Sequence, residues 1–147
     1  MSFIVSPPLP EAVGEITDSI RQQMASRAYR AANELRNAEL DILNGQGGGR
    51  RYRLPHGKGF YSASAPGQPP ARQSGRYRGS YEPSASASGD VFTSKIESDY
   101  QVGTKRKYVL GELLEGGTSK MAPRPHHDKI REKAEPGIVR IYSEPYF

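Results

Sequence analysis

The sequence predicts an α+β fold, in which a long N-terminal helix packs on a small, mostly antiparallel sheet, with one or two short helices and a long basic loop. An apolar periodicity of helical spacing runs through residues 11–44, and short β-branched segments follow residue 81. A Gly- and Pro-rich stretch with positive charge lies between them. The 147 residues fit one domain (1–147), which we divide into the helix (11–44), the loop (45–80) and the sheet with its short helices (81–147).

The helix prediction depends on apolar residues that recur at steps of three or four. They are Val13, Ile16, Ile20, Met24, Ala28, Ala31, Leu35, Ala38 and Ile42. Such spacing places one apolar stripe along a helix. The helix would be a rod roughly 50 Å long, longer than a domain of this size can cover. We therefore expect the half near Ala28 to pack on the protein's own sheet, and the remainder to contact a neighbouring subunit.

Residues 45–80 hold the excess positive charge of the chain. This segment contains seven Lys and Arg residues and no acid, while the whole chain has a net charge of +5. The seven cations are Arg50, Arg51, Arg53, Lys58, Arg72, Arg76 and Arg78. Tyr52 and Phe60-Tyr61 could pair as a short hairpin, but no long strand is expected. Cations interleaved with tyrosines suit either nucleic-acid phosphates or carboxylates of a neighbouring subunit.

Strands are predicted in three places after the loop. Val91 to Ser98 alternates apolar and polar side chains, as in a strand with one half-buried face. Tyr100 to Val102 is a shorter candidate, broken by Gly103. The β-branched run from Ile138 to Tyr142, which follows Pro136-Gly137, predicts a last strand that closes a sheet of three or four strands.

Two short helices are predicted on either side of a corner. Tyr108 to Glu115 is typical of a short apolar helix, and Gly116-Gly117 can take the positive φ that ends one. Asp128 to Ala134 predicts a second, charged helix that Pro136-Gly137 stops, and Pro125 fits the turn at its start. We expect Arg124 to anchor the corner through a carboxylate such as that of Glu115.

Catalytic and metal-binding patterns are missing from the sequence. There is no Cys, which excludes disulfides and thiolate chemistry. His56, His126 and His127 are the only imidazoles, and adjacent histidines on a helix point about 100° apart, which makes a poor chelate. The Gly47–Gly49 run follows a helix and lacks the Lys-Ser/Thr ending of a phosphate loop. We therefore expect that the protein is not an enzyme and that it has neither a cofactor nor a metal site.

Two ordered blocks of the sequence resemble a known family. The first is Ser64 to Ala71 (SAPGQPPA) with Ser74 to Ser80 (SGRYRGS), and the second is Leu114 to Thr118 (LEGGT) with Lys120 to Pro125 (KMAPRP). They are similar to the SAPGxPPA…TGxLRxS and LE-x-GT…KM-x-x-RP runs of small tailed-phage neck proteins, the tail-completion or head–tail joining minor tail components. Tyr77 stands where that family usually has Leu.

The resemblance implies a structural virion protein in the neck of a tailed phage. Such a protein forms a homo-oligomeric ring, taken as a hexamer by family resemblance, that joins the head connector or stopper to the tail tube while double-stranded DNA passes through. The protein would be made in the host cytoplasm and end in the virion. No membrane partner is expected, because no apolar run of the sequence is long enough to span a bilayer.

The subunit contacts expected from this interpretation are Ile16, Ile20, Met24, Glu112, Glu115 and Arg124. Acids of a neighbouring subunit, such as Glu82, Asp90, Glu112 or Glu115, would then meet the basic loop. An alternative interpretation stays open: a cytoplasmic nucleic-acid-binding module without sequence specificity, which uses the seven cations on DNA or RNA.

Overall fold

The computed structural model describes residues 9–45, 47–54, 58–72 and 74–147. His56, named above among the imidazoles, lies outside them. The helices are α1 (Leu9–Ile42), α2 (Arg76–Gly79), α3 (Leu110–Gly116) and α4 (His127–Tyr142). The strands are β1 (Arg51–Arg53), β2 (Phe60–Ser62), β3 (Glu82–Ser88), β4 (Val91–Glu97), β5 (Gln101–Val102) and β6 (Tyr108–Val109). The α+β prediction is thus confirmed, with the long N-terminal helix in place.

The strands form three separate antiparallel pairs in the described part of the chain, and not one sheet of three or four strands. β1 pairs with β2, β3 with β4, and β5 with β6. The largest pair runs from Glu82 opposite Glu97 to Ser88 opposite Val91, joined by a turn at Gly89. β4 matches its predicted position, whereas β3 was not predicted because Glu82–Ser88 has small, polar side chains with weak strand preference.

The core lies around the second half of α1. Ala28, Ala31, Ala32 and Ala38 are buried there against α4 and the β3–β4 pair, whose Phe92, Ser94 and Ile96 form its less exposed face. Alanine side chains let these elements approach α1 closely. The first half of the helix is different, because Val13 and Ile16 are 52% and 50% exposed. The expected packing of the Ala28 half on the protein's own sheet is therefore confirmed, and contact of the other half with a neighbour stays a prediction.

The predicted final strand at Ile138 to Tyr142 is wrong, since α4 continues through Pro136 to Tyr142. Ile130, Ala134, Ile138 and Ile141 recur at helical spacing, and packing of this face overrides the β-branched preference and the proline. Gly137 faces α1, where an added Cβ would meet the flexible end of the Glu34 side chain, with Oε2 at 2.6 Å.

The corner between α3 and α4 is a built turn, as predicted, with two differences in detail. Tyr108–Val109 is a strand, so α3 begins at Leu110, and α4 begins at His127 and not at Pro125. Gly117 has φ 72°, and a Cβ there would lie 2.9 Å from the backbone oxygen of Met121. Position 117 therefore requires glycine, both for its positive φ and for its close backbone contacts. Gly116 is the last residue of α3 and faces open space.

The chain after α4 folds back along α1. Arg27, buried on α1, donates hydrogen bonds to the carbonyl oxygens of Tyr142 and Pro145 at 3.3 and 3.1 Å. Its guanidinium also lies 3.9 Å from the centre of the Tyr146 ring. Arg30 forms an exposed, two-bond ion pair with Glu144. These contacts fix the last residues beside the middle of α1. No described helix is both long and apolar enough to cross a bilayer.

Candidate functional site

Residues 50–54 and 58–62 form an exposed β-hairpin, which we call the basic hairpin. The prediction that Tyr52 pairs with Phe60-Tyr61 is confirmed, because Tyr52 lies opposite Tyr61 with their rings stacked at 5.8 Å. Arg51 lies 4.7 Å from the centre of the Phe60 ring, and Arg50 lies 5.6 Å from that of Tyr52. Each of these contacts holds a cation against an aromatic face at the protein surface.

The seven predicted cations fall into two groups. Arg50, Arg51, Arg53 and Lys58 are exposed on the basic hairpin, and Arg72, Arg76 and Arg78 lie around α2. Arg78 donates to the carbonyl of Leu40 at 2.7 Å and Arg72 to Asn44 at 3.1 Å, near the negative end of α1. Within the described ranges, no ion pair to a carboxylate involves any of the seven.

The glycine run before the hairpin is used for close backbone packing. The amides of Gly47 and Gly49 donate to the carbonyls of Ser62 and Ala63. A Cβ at Gly47 would lie 2.1 Å from the Ala63 oxygen. These amides face protein and not open space, so the run does not form a phosphate cradle. The expectation of one long loop over residues 45–80 is accordingly too simple, since this segment contains β1, β2 and α2.

The two sequence blocks that carry the family resemblance touch one another. The amide of Gly67 donates to the carbonyl of Pro123 at 3.2 Å, and the ammonium of Lys129 donates to the carbonyl of Gly67 at 2.8 Å. Gln68 fastens the first block internally, because its Oε1 accepts from the amides of Gly48 and Ala65. A cavity of about 680 Å³ lies between the blocks, bordered also by the basic hairpin and α3.

Behind this cavity is a polar cluster that we call the His–Tyr network: Tyr77, Tyr81, Glu115, His126 and His127, of which Tyr81 and His126 are buried. The hydroxyl of Tyr77 lies 2.8 Å from Nε2 of His126 and 2.7 Å from the hydroxyl of Tyr81. The Tyr81 hydroxyl continues to Nε2 of His127 at 3.0 Å. The network thereby connects α2 and the residue that precedes β3 to the start of α4.

Glu115 is the cap of α4 within this network. Its Oε1 accepts hydrogen bonds from the amides of His126 and His127 at 2.8 and 2.7 Å. Although burial alone would raise the pKa of Glu115, these two amides lower it. The predicted anchor between Arg124 and Glu115 is therefore wrong, because Glu115 is taken up by the helix start. The Arg124 guanidinium donates instead to the carbonyl of Ala122 at 3.1 Å.

His126 is fully buried and held in one tautomer by its neighbours. Burial lowers the pKa of His126, which favours the neutral ring. Nδ1 lies 3.0 Å from the carbonyl oxygen of Arg124, which can only accept, so Nδ1 carries the proton. Nε2 then accepts from Tyr77. Burial also raises the pKa of Tyr81 to about 12, so the hydroxyl remains a donor at neutral pH.

The same cluster contains three donor atoms with the proximity of a metal site, on Glu115, His126 and His127, all within 4.8 Å of one another. The expectation that the His126 and His127 rings point apart as neighbours on a helix is wrong, because His126 precedes the helix. The centres of the two rings are 4.5 Å apart. However, the carboxylate oxygen already accepts two amides, and the positive end of a helix disfavours a cation. Helix capping accounts for the position of the Glu115 carboxylate.

A second buried polar group, which the sequence did not indicate, is Glu39 on α1. Its side chain is fully buried, with one carboxylate oxygen against Arg36 and the other without a hydrogen-bond partner among the described residues. Burial raises the pKa of Glu39 to about 7, although the cations of Arg36 and Arg78 act in the opposite direction. Glu39 follows Ala38 of the apolar stripe, and no feature of the sequence distinguishes it from a solvated glutamate.

The six predicted interface residues lie in two places. Ile16, Ile20 and Met24 lie on the first half of α1, where Ile16 is half exposed and the other two are partly buried. Glu112 is exposed on α3, whereas Glu115 and Arg124 bond within the chain. Two of the four acids expected to meet a neighbour's cations are also engaged, since Asp90 pairs with Arg21 at 3.2 Å and Glu115 caps α4. Glu82 and Glu112 are left for that role.

These features define an α+β protein with one half-exposed apolar helix face, one basic hairpin and one cavity between two sequence blocks. Comparisons of the chain with protein-family models, with curated proteins and with solved structures found no match.

Proposed function

We propose that the protein is a structural assembly protein of a tailed-phage neck, which forms a ring between the head connector and the tail tube. The observation that carries this proposal is the apolar stripe of α1. In the second half of the helix the stripe is buried by the protein itself, and in the first half it continues with Val13 and Ile16 half exposed. An apolar face that continues past its own core is suited to a contact with another subunit.

The two sequence blocks support the same proposal. They resemble neck proteins in sequence, and in the fold they lie together, joined by the bond from Gly67 to Pro123. The mechanism is geometric. One face of each subunit meets a different face of the next, and such head-to-tail contacts close into a ring when the rotation permits. The axis of the ring would leave a channel for double-stranded DNA, and six copies are the number that the resemblance suggests.

The exposed basic hairpin favours a second candidate function. Its cations lack carboxylate partners within the described ranges, and its aromatic residues are close beneath them. This combination suits contacts to nucleic-acid phosphates without base recognition. In the ring the same cations would meet acids of the next subunit, or line the channel without holding DNA. A nucleic-acid-binding monomer is therefore the alternative against which the ring is tested.

The test is the oligomeric state of the purified protein, measured by light scattering on a sizing column and by negative-stain microscopy. We expect rings that persist in high salt, because the contact is apolar. Val13→Asp with Ile16→Asp should release monomers by placing charge in that contact. Both positions are half exposed in the subunit, so its fold and circular dichroism should be retained.

Gln22→Asp is the matched control, because Gln22 is exposed on the same helix but off the apolar stripe. This variant should assemble as the wild type does. A wild-type protein that stays monomeric at high concentration, or a double variant that assembles normally, would refute the role of the α1 face.

A further inference from the structure

The cavity between the two sequence blocks has the size and lining of a binding site. Its volume of about 680 Å³ lies within the roughly 300–1,000 Å³ of ligand pockets. Four tyrosines border it: Tyr52, Tyr61, Tyr77 and Tyr100. Tyrosine presents a large apolar ring with a polar end, a composition that is frequent where proteins bind other chains.

The charges around the cavity all have one sign. Arg72, Arg78, Lys120 and Arg124 line it, and no Asp or Glu is among its lining residues. These side chains retain free donors, because Arg78 uses only Nε within the described chain and Arg124 only one terminal nitrogen. The ammonium of exposed Lys120 makes no hydrogen bond to a described residue. An occupant with carboxylates would supply the missing acceptors.

Aliphatic side chains make up much of the remaining lining, which also includes Ser64 and Ser74. Leu43, Val102, Leu110, Leu114 and Met121 border the cavity, and Leu43 is almost fully buried. Phosphate groups gain nothing from aliphatic side chains, and a DNA duplex is a convex rod that cannot enter a concave site of this volume. An aliphatic or aromatic side chain of an inserted segment does fit such a lining. The combination favours a peptide over a nucleic acid.

We propose that this cavity binds a short acidic and apolar peptide segment of a partner protein, with a Leu or Phe side chain inside and flanking carboxylates on the cations at its rim. The walls are suited to the task, because the bonds from Gly67 to Pro123 and from Lys129 to Gly67 hold the two blocks together without the peptide. A site held in shape beforehand loses little entropy on binding. This site is independent of ring formation, since it needs neither a second copy nor the α1 face.

The experiment begins with a selection of peptides from a displayed library of random dodecapeptides on the full-length protein. The same selection is run on a variant with Lys120→Glu and Arg124→Gln, and on the control Lys105→Glu, an exposed lysine outside the cavity. We expect peptides with Asp or Glu next to Leu or Phe to be enriched on the wild type and the control. Enrichment should be lost on the cavity variant.

Affinity is then measured by fluorescence anisotropy with three labelled ligands. They are the most enriched peptide, a neutral counterpart in which Gln replaces each Glu and Asn replaces each Asp, and a single-stranded oligothymidine. We expect the cavity variant and the neutral counterpart each to weaken binding by about tenfold or more, since each removes charge pairs at a partly desolvated site. The proposal is overturned if no peptides are enriched above the variant, or if the enriched peptides are basic. It is also overturned if oligothymidine binds more tightly than the peptide and depends on the same two residues.

Discussion

Glu39 gives the protein a stability that depends on pH in a direction opposite to that of most carboxylates. In the folded protein burial raises its pKa from 4.5 to about 7, so the folded state holds this proton more tightly than the unfolded chain does. Stability from this group is therefore present below pH 4.5 and is lost as the pH rises from 4.5 to about 7. The difference corresponds to about 3 kcal/mol, and it already includes the opposing effect of the Arg36 cation on the pKa.

The variant Glu39→Gln removes the ionisation and keeps the shape of the side chain. At pH 4, below the unfolded pKa, it should match the wild type to within about 0.2 kcal/mol, and at pH 8 it should be more stable by about 2–3 kcal/mol. Urea denaturation followed by circular dichroism at both values measures the difference. His126 also makes stability depend on pH, because its lowered pKa in the folded protein makes stability rise with pH over an overlapping range. Both proteins contain His126, so its contribution cancels in the comparison.

Glu15→Gln, at an exposed glutamate of the same helix, controls for the loss of one negative charge. A gap between wild type and Glu39→Gln that does not change with pH would refute the reasoning. The reasoning would also be refuted if Glu39→Gln were less stable than the wild type at pH 8, because the ion pair with Arg36 would then outweigh the cost of burying the charge.

Two further predictions concern the corner and the basic hairpin. Gly117→Val should lower the free energy of unfolding by about 1 kcal/mol or more, whereas Gly116→Ala should not lower it. The reason is that only Gly117 combines a φ of 72° with backbone atoms 2.9 Å from the position of an added Cβ. Equal thermal stabilities of the two variants would contradict this prediction. Changing Arg50, Arg51 and Arg53 together to Ser should impair ring formation or head–tail joining more than DNA binding, whose dissociation constant should be no better than about 10⁻⁴–10⁻⁶ M. Fluorescence anisotropy on a DNA duplex at two salt concentrations tests the alternative. A nucleic-acid-binding module would bind tightly as a monomer, and in the variant the slope of the log binding constant against log salt concentration would fall by about three units.

The parts of the fold that could be predicted are those with local periodicity. The stripe from Val13 to Ile42 predicted α1, and the alternation after Val91 predicted β4. The error at Ile138 to Tyr142 has a physical cause, since β-branched residues after Pro136-Gly137 favour a strand until the helical face of α4 finds α1. No local pattern contains that tertiary contact.

The candidate site was less accessible to prediction, because its parts are joined by hydrogen bonds between residues distant in sequence. Tyr77 and His126 are 49 residues apart, and neither belongs to a motif that announces the other. Glu39 was missed because a glutamate beside an apolar stripe is usually solvated. The basic segment was recognised by composition, but its division into a hairpin and a group anchored on α1 required the structure.

Among the described residues, the ion pair between Arg21 and Asp90 is the one nearest the beginning of α1 that links this helix to another element. From Arg21 to Leu9 the helix continues for about 18 Å with Val13 and Ile16 half exposed. A partner bound to Val13 and Ile16 would therefore lie beyond the part of α1 that packs on its own subunit, and the length of this helical segment would set the distance between the two.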